Sequence, residues 1–173
     1  MSQPAVTPSP GSLLDSWRQI ILSGNLPKGR GIDVVSRWLL ITRACVFSMT
    51  ITSALIGGLL AASTAPTRHW GYFSLALLGL VVAHAANNMI NDYFDTIGGV
   101  DTESYIRTLY APHPLFSNLI SKEGLIAAIL VCNLTDLAIG WPIGRLVRQA
   151  DFHRGSRVGR QRQILADSNK QPG

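Results

Sequence analysis

Residues 73–95 read FSLALLGLVVAHAANNMINDYFD, an apolar run that ends in two aspartates three residues apart. Between residues 73 and 90 the only ionisable side chain is His84. A helix of roughly 17–25 predominantly apolar residues is long enough to cross a bilayer. The sequence therefore predicts a transmembrane helix whose spanning part is 73–90. The helix continues through Asp92 and Asp95 at its polar end, and the Gly98-Gly99 pair ends it.

Two further apolar blocks accompany this run. Residues 44–62 contain no charged side chain, and residues 124–144 contain one, Asp136. The chain of 173 residues is 47% hydrophobic and 14% charged, whereas about a quarter of the residues of a soluble domain are charged. We therefore predict an all-α, polytopic membrane helix bundle, with three transmembrane helices lying in a lipid bilayer.

The segments outside the blocks have other compositions. Residues 1–12 are rich in Pro and Ser and lack the pattern of a signal peptide, which predicts a disordered lead-in. Residues 13–23 place their apolar side chains on one helical face, which predicts an amphipathic helix in the membrane interface. Residues 145–173 hold seven of the fifteen Lys and Arg residues but match no nucleic-acid fold motif. We predict a disordered basic tail there and no nucleic-acid partner.

The first apolar block contains two rows of small residues at intervals of four. One row is Ser53, Gly57 and Ala61, and the other is Ala54, Gly58 and Ala62. Small side chains at this spacing allow two helices to approach closely in lipid. The rows predict a helix-packing surface and carry no chemistry.

A polar stripe marks the end of the second block. Its members, at intervals of four, four and three residues on one helical face, are His84, Asn88, Asp92 and Asp95. A polar stripe within a spanning helix has to face protein or water. Carboxylates at i and i+3 stand roughly 5–6 Å apart at Cβ, and they repel unless a cation lies between them. Mg²⁺ suits such a pair because it takes hard oxygen ligands.

The same acids also fit a structural role, as ion pairs at the membrane surface. Spacing alone gives the two interpretations equal weight, since short acidic patterns recur by chance. The position of the acids at the C-terminal end of a helix opposes the helix dipole. That unfavourable placement favours a bound cation.

The acidic segment resembles a known family motif. Asn91-Asp92-x-x-Asp95 is similar to the first aspartate-rich motif of the UbiA-superfamily intramembrane prenyltransferases. In the branch that uses 4-hydroxybenzoate the third acid would stand at Gly99. The acid at Asp101, within residues 99–103 (GVDTE), instead resembles the 1,4-dihydroxy-2-naphthoate branch of menaquinone biosynthesis.

The resemblance implies an activity and a site. Family members transfer a prenyl group from an isoprenoid diphosphate to an aromatic acceptor, with Mg²⁺ as cofactor. The implied catalytic residues are Asp92, Asp95 and Asp101, which together with Asn91 would bind the metal. Asn91 and Arg107 would also bind the substrate diphosphate, and Arg43 resembles a family arginine near the aromatic acceptor.

The chain also departs from the family pattern. Family proteins resemble bundles of nine transmembrane helices, with a second aspartate-rich motif in their latter half. The resemblance covers roughly residues 1–140, so that residues 24–144 match the N-terminal part of the membrane domain, and the later acids are too widely spaced for the second motif. The resemblance therefore implies an N-terminal fragment that is inactive alone. The alternatives are a small helical membrane protein with structural or cation-conducting acids, or a UbiA-type enzyme with another acceptor such as 4-hydroxybenzoate.

Basic residues predict the orientation in the membrane. Only Arg68 lies in the loop after the first block, whereas five basic residues lie before that block, namely Arg18, Lys28, Arg30, Arg37 and Arg43. Loops rich in Lys and Arg stay on the cytoplasmic side. We predict a multi-pass protein of the plasma (inner) membrane with a cytoplasmic N-terminus.

Overall fold

The part of the chain that the structure describes is mostly helical. The computed structural model describes residues 10–26, 30–64, 69–102 and 112–168, with the backbone alone at 10–12 and over most of 150–168. The helices are α1 (Pro10–Ser23), α2 (Val34–Ile41), α3 (Phe47–Thr64), α4 (Trp70–Ile97) and α5 (Lys122–Ser168), and a 3₁₀ turn (Ala44–Val46) precedes α3. These four ranges contain no strand, and the predicted all-helical fold is confirmed.

Three stretches of helix are long and apolar enough to cross a membrane. They are Ala44–Thr64, Trp70–Ile97 and Lys122–Gln149, with mean hydropathies of 1.9, 1.6 and 1.7. The prediction of three spanning helices is confirmed in the part of the chain that the structure describes, and the nine helices of the family pattern find no support there. Helix α4 ends at Ile97, so Asp92 and Asp95 lie near its C-terminal end, as the sequence predicted.

The hydrophobic core lies at the polar end of α4. Its buried side chains come from α1, α2, α4, the turns before α5 and the start of α5, and they are Ile20, Leu40, Ile41, Met89, Leu119 and Leu125. Most of α3 and of the spanning part of α5 is exposed, including large apolar side chains. In a membrane those faces contact lipid, whereas the buried cluster lies where side chains of α1, α2 and the start of α5 meet Met89 of α4.

Asp33 joins α1 to α2. Its carboxylate caps α2 by accepting hydrogen bonds from the Ser36 N–H and hydroxyl, both at 2.8 Å, and from the Trp17 indole at 3.1 Å. Burial opposes ionisation of Asp33, but the hydrogen bonds from Ser36 and Trp17 outweigh it, and the pKa of Asp33 is lowered. The capping interaction therefore depends on the ionised carboxylate.

We expect Asp33→Ala to destabilise the packing of α1 on α2 by about 1 kcal/mol, the usual value of an N-cap. Because the folded pKa is lowered, the stabilisation is complete above the ordinary pKa of 3.8 and is lost as the pH falls through the folded value. Thermal unfolding of the protein in lipid nanodiscs, followed against pH, measures both effects. Asp33→Asn keeps a cap acceptor and should remove most of the acid dependence; an unchanged acid profile would contradict this assignment.

The two rows of small residues in α3 have different surroundings. The row of Ala54, Gly58 and Ala62 is half-buried, whereas the row of Ser53, Gly57 and Ala61 is exposed. A Cβ added to Gly58 would overlap the Phe73 ring of α4, and one added to Gly57 would meet nothing within 4 Å. Only the first row therefore packs against α4.

We expect Gly58→Ala to destabilise the α3–α4 pair by about 1–3 kcal/mol, because the Phe73 ring has to move. Gly57→Ala is the matched control, and it should cause no loss because its methyl group enters open space. Denaturant unfolding in mixed micelles compares the two. Equal stabilities of the two variants would show that α3 does not pack through the Gly58 row.

The structure differs from the sequence prediction at both ends. Helix α1 begins at Pro10, within the predicted lead-in, and proline is favoured in the first turn of a helix. Helix α5 continues to Ser168 through most of the tail predicted as disordered over 145–173. Extending an existing helix avoids the cost of nucleation, and the Arg, Gln and Leu residues of this segment are good helix formers. Residues 1–9 and 169–173 lie outside the described ranges.

Candidate functional site

The polar stripe of α4 faces the protein interior. Asn88 and Asp92 are buried, and His84 and Asp95 are half-buried, whereas Asn91 is exposed. The placement agrees with the rule that polar groups in a spanning helix face protein or water. Asp92 is completely buried, so its charge requires compensation from neighbouring groups.

A tight reversal after α4 returns Asp101 to this helix. Gly98 caps α4, and Gly99 has a φ of 69°, a left-handed conformation that glycine adopts without strain. The carbonyl oxygen of Asp95 then accepts hydrogen bonds from the N–H groups of Val100 at 2.9 Å and Asp101 at 3.1 Å. The reversal buries the Asp101 side chain, which is 4% exposed.

Arg43 pairs with Asp92 through both carboxylate oxygens. Its Nη2 contacts Asp92 Oδ1, and its Nε donates to Asp92 Oδ2 at 3.2 Å. Arg43 has φ 54° and ψ 52°, a left-handed conformation that costs a non-glycine residue about 1–3 kcal/mol. This strained residue lies just before the 3₁₀ turn, from which its guanidinium reaches α4.

His113 completes the cluster. It lies in the segment Pro112-His113-Pro114, and its Nε2 is 3.4 Å from Asp101 Oδ2. Ligand atoms of Asp92, Asp101 and His113 all lie within 4.8 Å of one another, and all three side chains are buried. Sequence reasoning assigned no role to His113; the signal that could have indicated one is the pair of prolines, which fixes the backbone on both sides.

The other predicted site residues lie elsewhere. In the part of the chain that the structure describes, the Asp95 carboxylate is not a member of the group formed by Asp92, Asp101 and His113. Asn91 is exposed on α4. Arg107 lies outside the described residues. The structure thus brings Arg43, Asp92 and Asp101 together and leaves Asn91 and Asp95 apart from that group.

A cavity of about 380 Å³ adjoins the cluster. Arg43, His84, Asn88 and His113 supply polar groups to its wall, and Met49 and Val46 supply apolar ones. Asn88 Nδ2 donates to the Thr42 carbonyl at 3.0 Å, and His84 Nδ1 is hydrogen-bonded to the Thr50 hydroxyl. The volume lies within the range of small-molecule sites, which combine apolar walls with a few fixed polar groups.

The cluster is chemically suited to a hard divalent cation. Among the described residues it holds two carboxylates and one guanidinium. Such cations commonly bind one or two protein carboxylates and fill their other positions with water or phosphate oxygens. Asp101 Oδ2 is buried and accepts no hydrogen bond from the described residues. The residues present therefore fit Mg²⁺, which Asp92 and Asp101 would hold.

The chain was compared with family models, curated proteins and solved structures. No family model, no curated protein and no solved structure matches the chain.

Proposed function

We propose that the protein binds an isoprenoid diphosphate with Mg²⁺ at the Asp92–Asp101 cluster and belongs to the machinery of prenyl transfer to an aromatic acceptor. The observation that carries the proposal is the return of Asp101 to Asp92, which places two buried carboxylates together. The UbiA-like sequence around Asn91 supports an isoprenoid diphosphate as the donor of the prenyl group. The continuation through Asp101 favours 1,4-dihydroxy-2-naphthoate as acceptor, as in menaquinone biosynthesis.

Each residue of the site would have a separate task. Asp92 and Asp101 would hold the cation, which supplies charge stabilisation to a departing diphosphate. Arg107 would bind diphosphate oxygens, because a guanidinium presents paired donors to them. From sequence, Asp95 and Asn91 are proposed to complete the contacts of the metal and the diphosphate. In an enclosed site, apolar helices would exclude the water that otherwise captures a carbocation-like carbon.

The cavity beside the cluster is the proposed place for the aromatic acceptor. It lies against Arg43 and His113, so a ring bound there would be adjacent to the diphosphate. Arg43 would attract an anionic or phenolic substituent on the acceptor, while Met49 and Val46 contact the ring. This arrangement agrees with the role that the family resemblance implies for Arg43.

A chimaeric enzyme tests the function. Residues 84–113 replace the corresponding segment of an active UbiA-type prenyltransferase, and prenylated product is measured with Mg²⁺, a prenyl diphosphate and 1,4-dihydroxy-2-naphthoate or 4-hydroxybenzoate. We expect turnover with dihydroxynaphthoate, and its loss in a matched chimaera carrying Asp92→Asn. No turnover with either acceptor, from a chimaera that folds, would contradict the proposal. The 173-residue chain itself should give no product, because the exposed faces of α3 and α5 leave the site unenclosed.

We also propose that the site faces the cytoplasm of a plasma-membrane protein. Two crossings separate the basic N-terminal segment from the reversal at Asp101, which puts both on one side. In a variant with Cys45 and Cys132 replaced by Ser, Thr102→Cys should react with a membrane-impermeant maleimide from the cytoplasmic side only. His69→Cys, at the other end of α4, is the matched control and should react from the opposite side. The reverse pattern would invert the proposed topology.

A structural role for the acids is the second candidate, and the Arg43–Asp92 ion pair favours it. Asp92 is completely buried and both of its oxygens contact Arg43, as expected of a pair that fixes the 3₁₀ turn to α4. The two roles are compatible at Asp92, because each carboxylate oxygen carries two lone pairs. They differ at Asp101, whose Oδ2 accepts no hydrogen bond from the described residues.

A further inference from the structure

His113 stands next to the proposed cation site, and its chemical role decides which metal the site prefers. Three roles are open to a buried imidazole at this place. It could be a charged partner of Asp101, a ligand of the cation, or a neutral donor that orients Asp101. The hydrogen bonds on the far side of the ring distinguish these roles.

Nδ1 of His113 accepts hydrogen bonds from the backbone. The N–H groups of Leu115 and Phe116 point to it at 3.3 and 3.5 Å. A nitrogen that accepts a hydrogen bond carries no proton, so the proton of the neutral ring lies on Nε2. The two N–H groups come from the turn that follows Pro114, and the turn therefore selects the tautomer.

This tautomer disfavours the first two roles. An imidazolium would place a proton on Nδ1, against two N–H donors. A charge-assisted N–H···O contact is also typically about 2.7–2.9 Å long, whereas Nε2 and Asp101 Oδ2 are 3.4 Å apart and form no hydrogen bond. A metal-bound histidine normally binds through one nitrogen and donates from the other, but here the nitrogen away from the cluster accepts.

We infer that His113 is a positioning residue: its protonated Nε2 lies 3.4 Å from Asp101 Oδ2, a contact outside hydrogen-bond geometry, favours the orientation of that carboxylate toward Asp92, and stays outside the coordination sphere of the cation. The inference rests on the proposed function only in assigning a cation to Asp92 and Asp101, and it holds whether or not a prenyl diphosphate binds.

Two consequences follow for the metal. With His113 neutral, the described residues of the cluster carry two carboxylates against one guanidinium, so one negative charge remains for a cation. With oxygen ligands alone, the site selects a hard cation such as Mg²⁺ or Mn²⁺. Zinc should bind such a site less tightly, because it favours nitrogen and sulfur ligands.

The test uses the full chain in lipid nanodiscs and Mn²⁺ as a paramagnetic probe, without diphosphate. Electron paramagnetic resonance gives the Mn²⁺ affinity, and pulsed measurements detect a directly bound nitrogen through its hyperfine coupling. We expect Mn²⁺ to bind with no imidazole coupling. His113→Ala should weaken binding about 10–100-fold, the usual effect of losing an outer partner of a ligand. His113→Gln keeps an N–H donor near Nε2 and should stay within about threefold of the parent chain if that donor is the partner.

Matched controls localise the effect. His69→Ala removes an exposed imidazole at the start of α4 and should leave Mn²⁺ affinity unchanged, whereas Asp101→Asn should abolish binding. Imidazole coupling that disappears in His113→Gln would make His113 a ligand and overturn the inference. Absence of Mn²⁺ binding to the parent chain, or equal losses in His113→Gln and His113→Ala, would overturn it as well. If Mn²⁺ binds as expected but prenyl diphosphates do not, the proposed function fails and this inference stands.

Discussion

Asp101→Asn is expected to weaken Mg²⁺-dependent binding of geranyl diphosphate to the full chain at least about 100-fold, which corresponds to about 2.7 kcal/mol. Asn keeps the size of the side chain but removes the charge that attracts the metal. Asp92→Asn should have an effect of the same size, since the two carboxylates lie in one group. Retention of labelled geranyl diphosphate by nanodiscs measures the effect, with empty nanodiscs as background.

Two further variants sharpen this expectation. Asp15→Asn removes an exposed carboxylate from α1 and is the control for a general loss of charge. Asp95→Asn distinguishes two interpretations. The sequence spacing pairs Asp95 with Asp92, whereas the structure pairs Asp101 with Asp92. We expect a loss of less than about tenfold for Asp95→Asn, or roughly 1.4 kcal/mol. A larger loss at Asp95 than at Asp101 would show that the Asp92–Asp101 group is not the binding unit.

The second large effect concerns stability. Arg43→Met should destabilise the protein by about 3–5 kcal/mol, because it leaves the Asp92 charge buried without its partner. Thermal unfolding in nanodiscs without added metal gives the loss. In the double variant Arg43→Met with Asp92→Leu both charges are gone, and most of the stability should return, as it does when a buried ion pair is replaced by apolar groups.

The same variants distinguish the structural role from the binding role. If Arg43 and Asp92 serve only as a structural pair, Mg²⁺ should not affect the stability of Arg43→Met. If Asp92 also binds the cation, millimolar Mg²⁺ should restore part of the stability lost in Arg43→Met and none in the double variant. Arg37→Met removes an exposed arginine on α2 and is the control for loss of a basic side chain. Equal stability of Arg43→Met and Arg37→Met would contradict the ion pair.

The sequence alone predicted the features that depend on local pattern. The lengths of the apolar runs predicted the three spanning helices. The four-residue spacing of Asn88 and Asp92 predicted that both side chains face the protein interior. The Gly98-Gly99 pair predicted the end of α4, and the structure confirms a helix end at Ile97 with Gly98 as its cap. These features depend on periodicity and backbone conformation, which neighbouring residues determine.

The remaining features depend on tertiary contacts that no local pattern contains. Spacing suggested Asp95 as the neighbour of Asp92, but the chain reversal gives that place to Asp101. The pairing of Arg43 with Asp92 needs a left-handed backbone at an arginine, against the usual preference of that residue. His113 joins the cluster from a segment 21 positions after Asp92, and its orientation depends on N–H groups of a turn. None of these three contacts has a periodic signature.

A binding measurement on the unaltered chain tests most directly whether Asp92 and Asp101 hold a cation together with a diphosphate. Geranyl diphosphate binding to nanodiscs is titrated with Mg²⁺ and with a chelator present, and Mg²⁺ binding is titrated with and without geranyl diphosphate. Linkage requires each ligand to raise the affinity of the other by the same factor. We predict a factor of at least about tenfold in both directions, or roughly 1.4 kcal/mol of coupling. Equal retention of geranyl diphosphate with Mg²⁺ and with the chelator would contradict the claim.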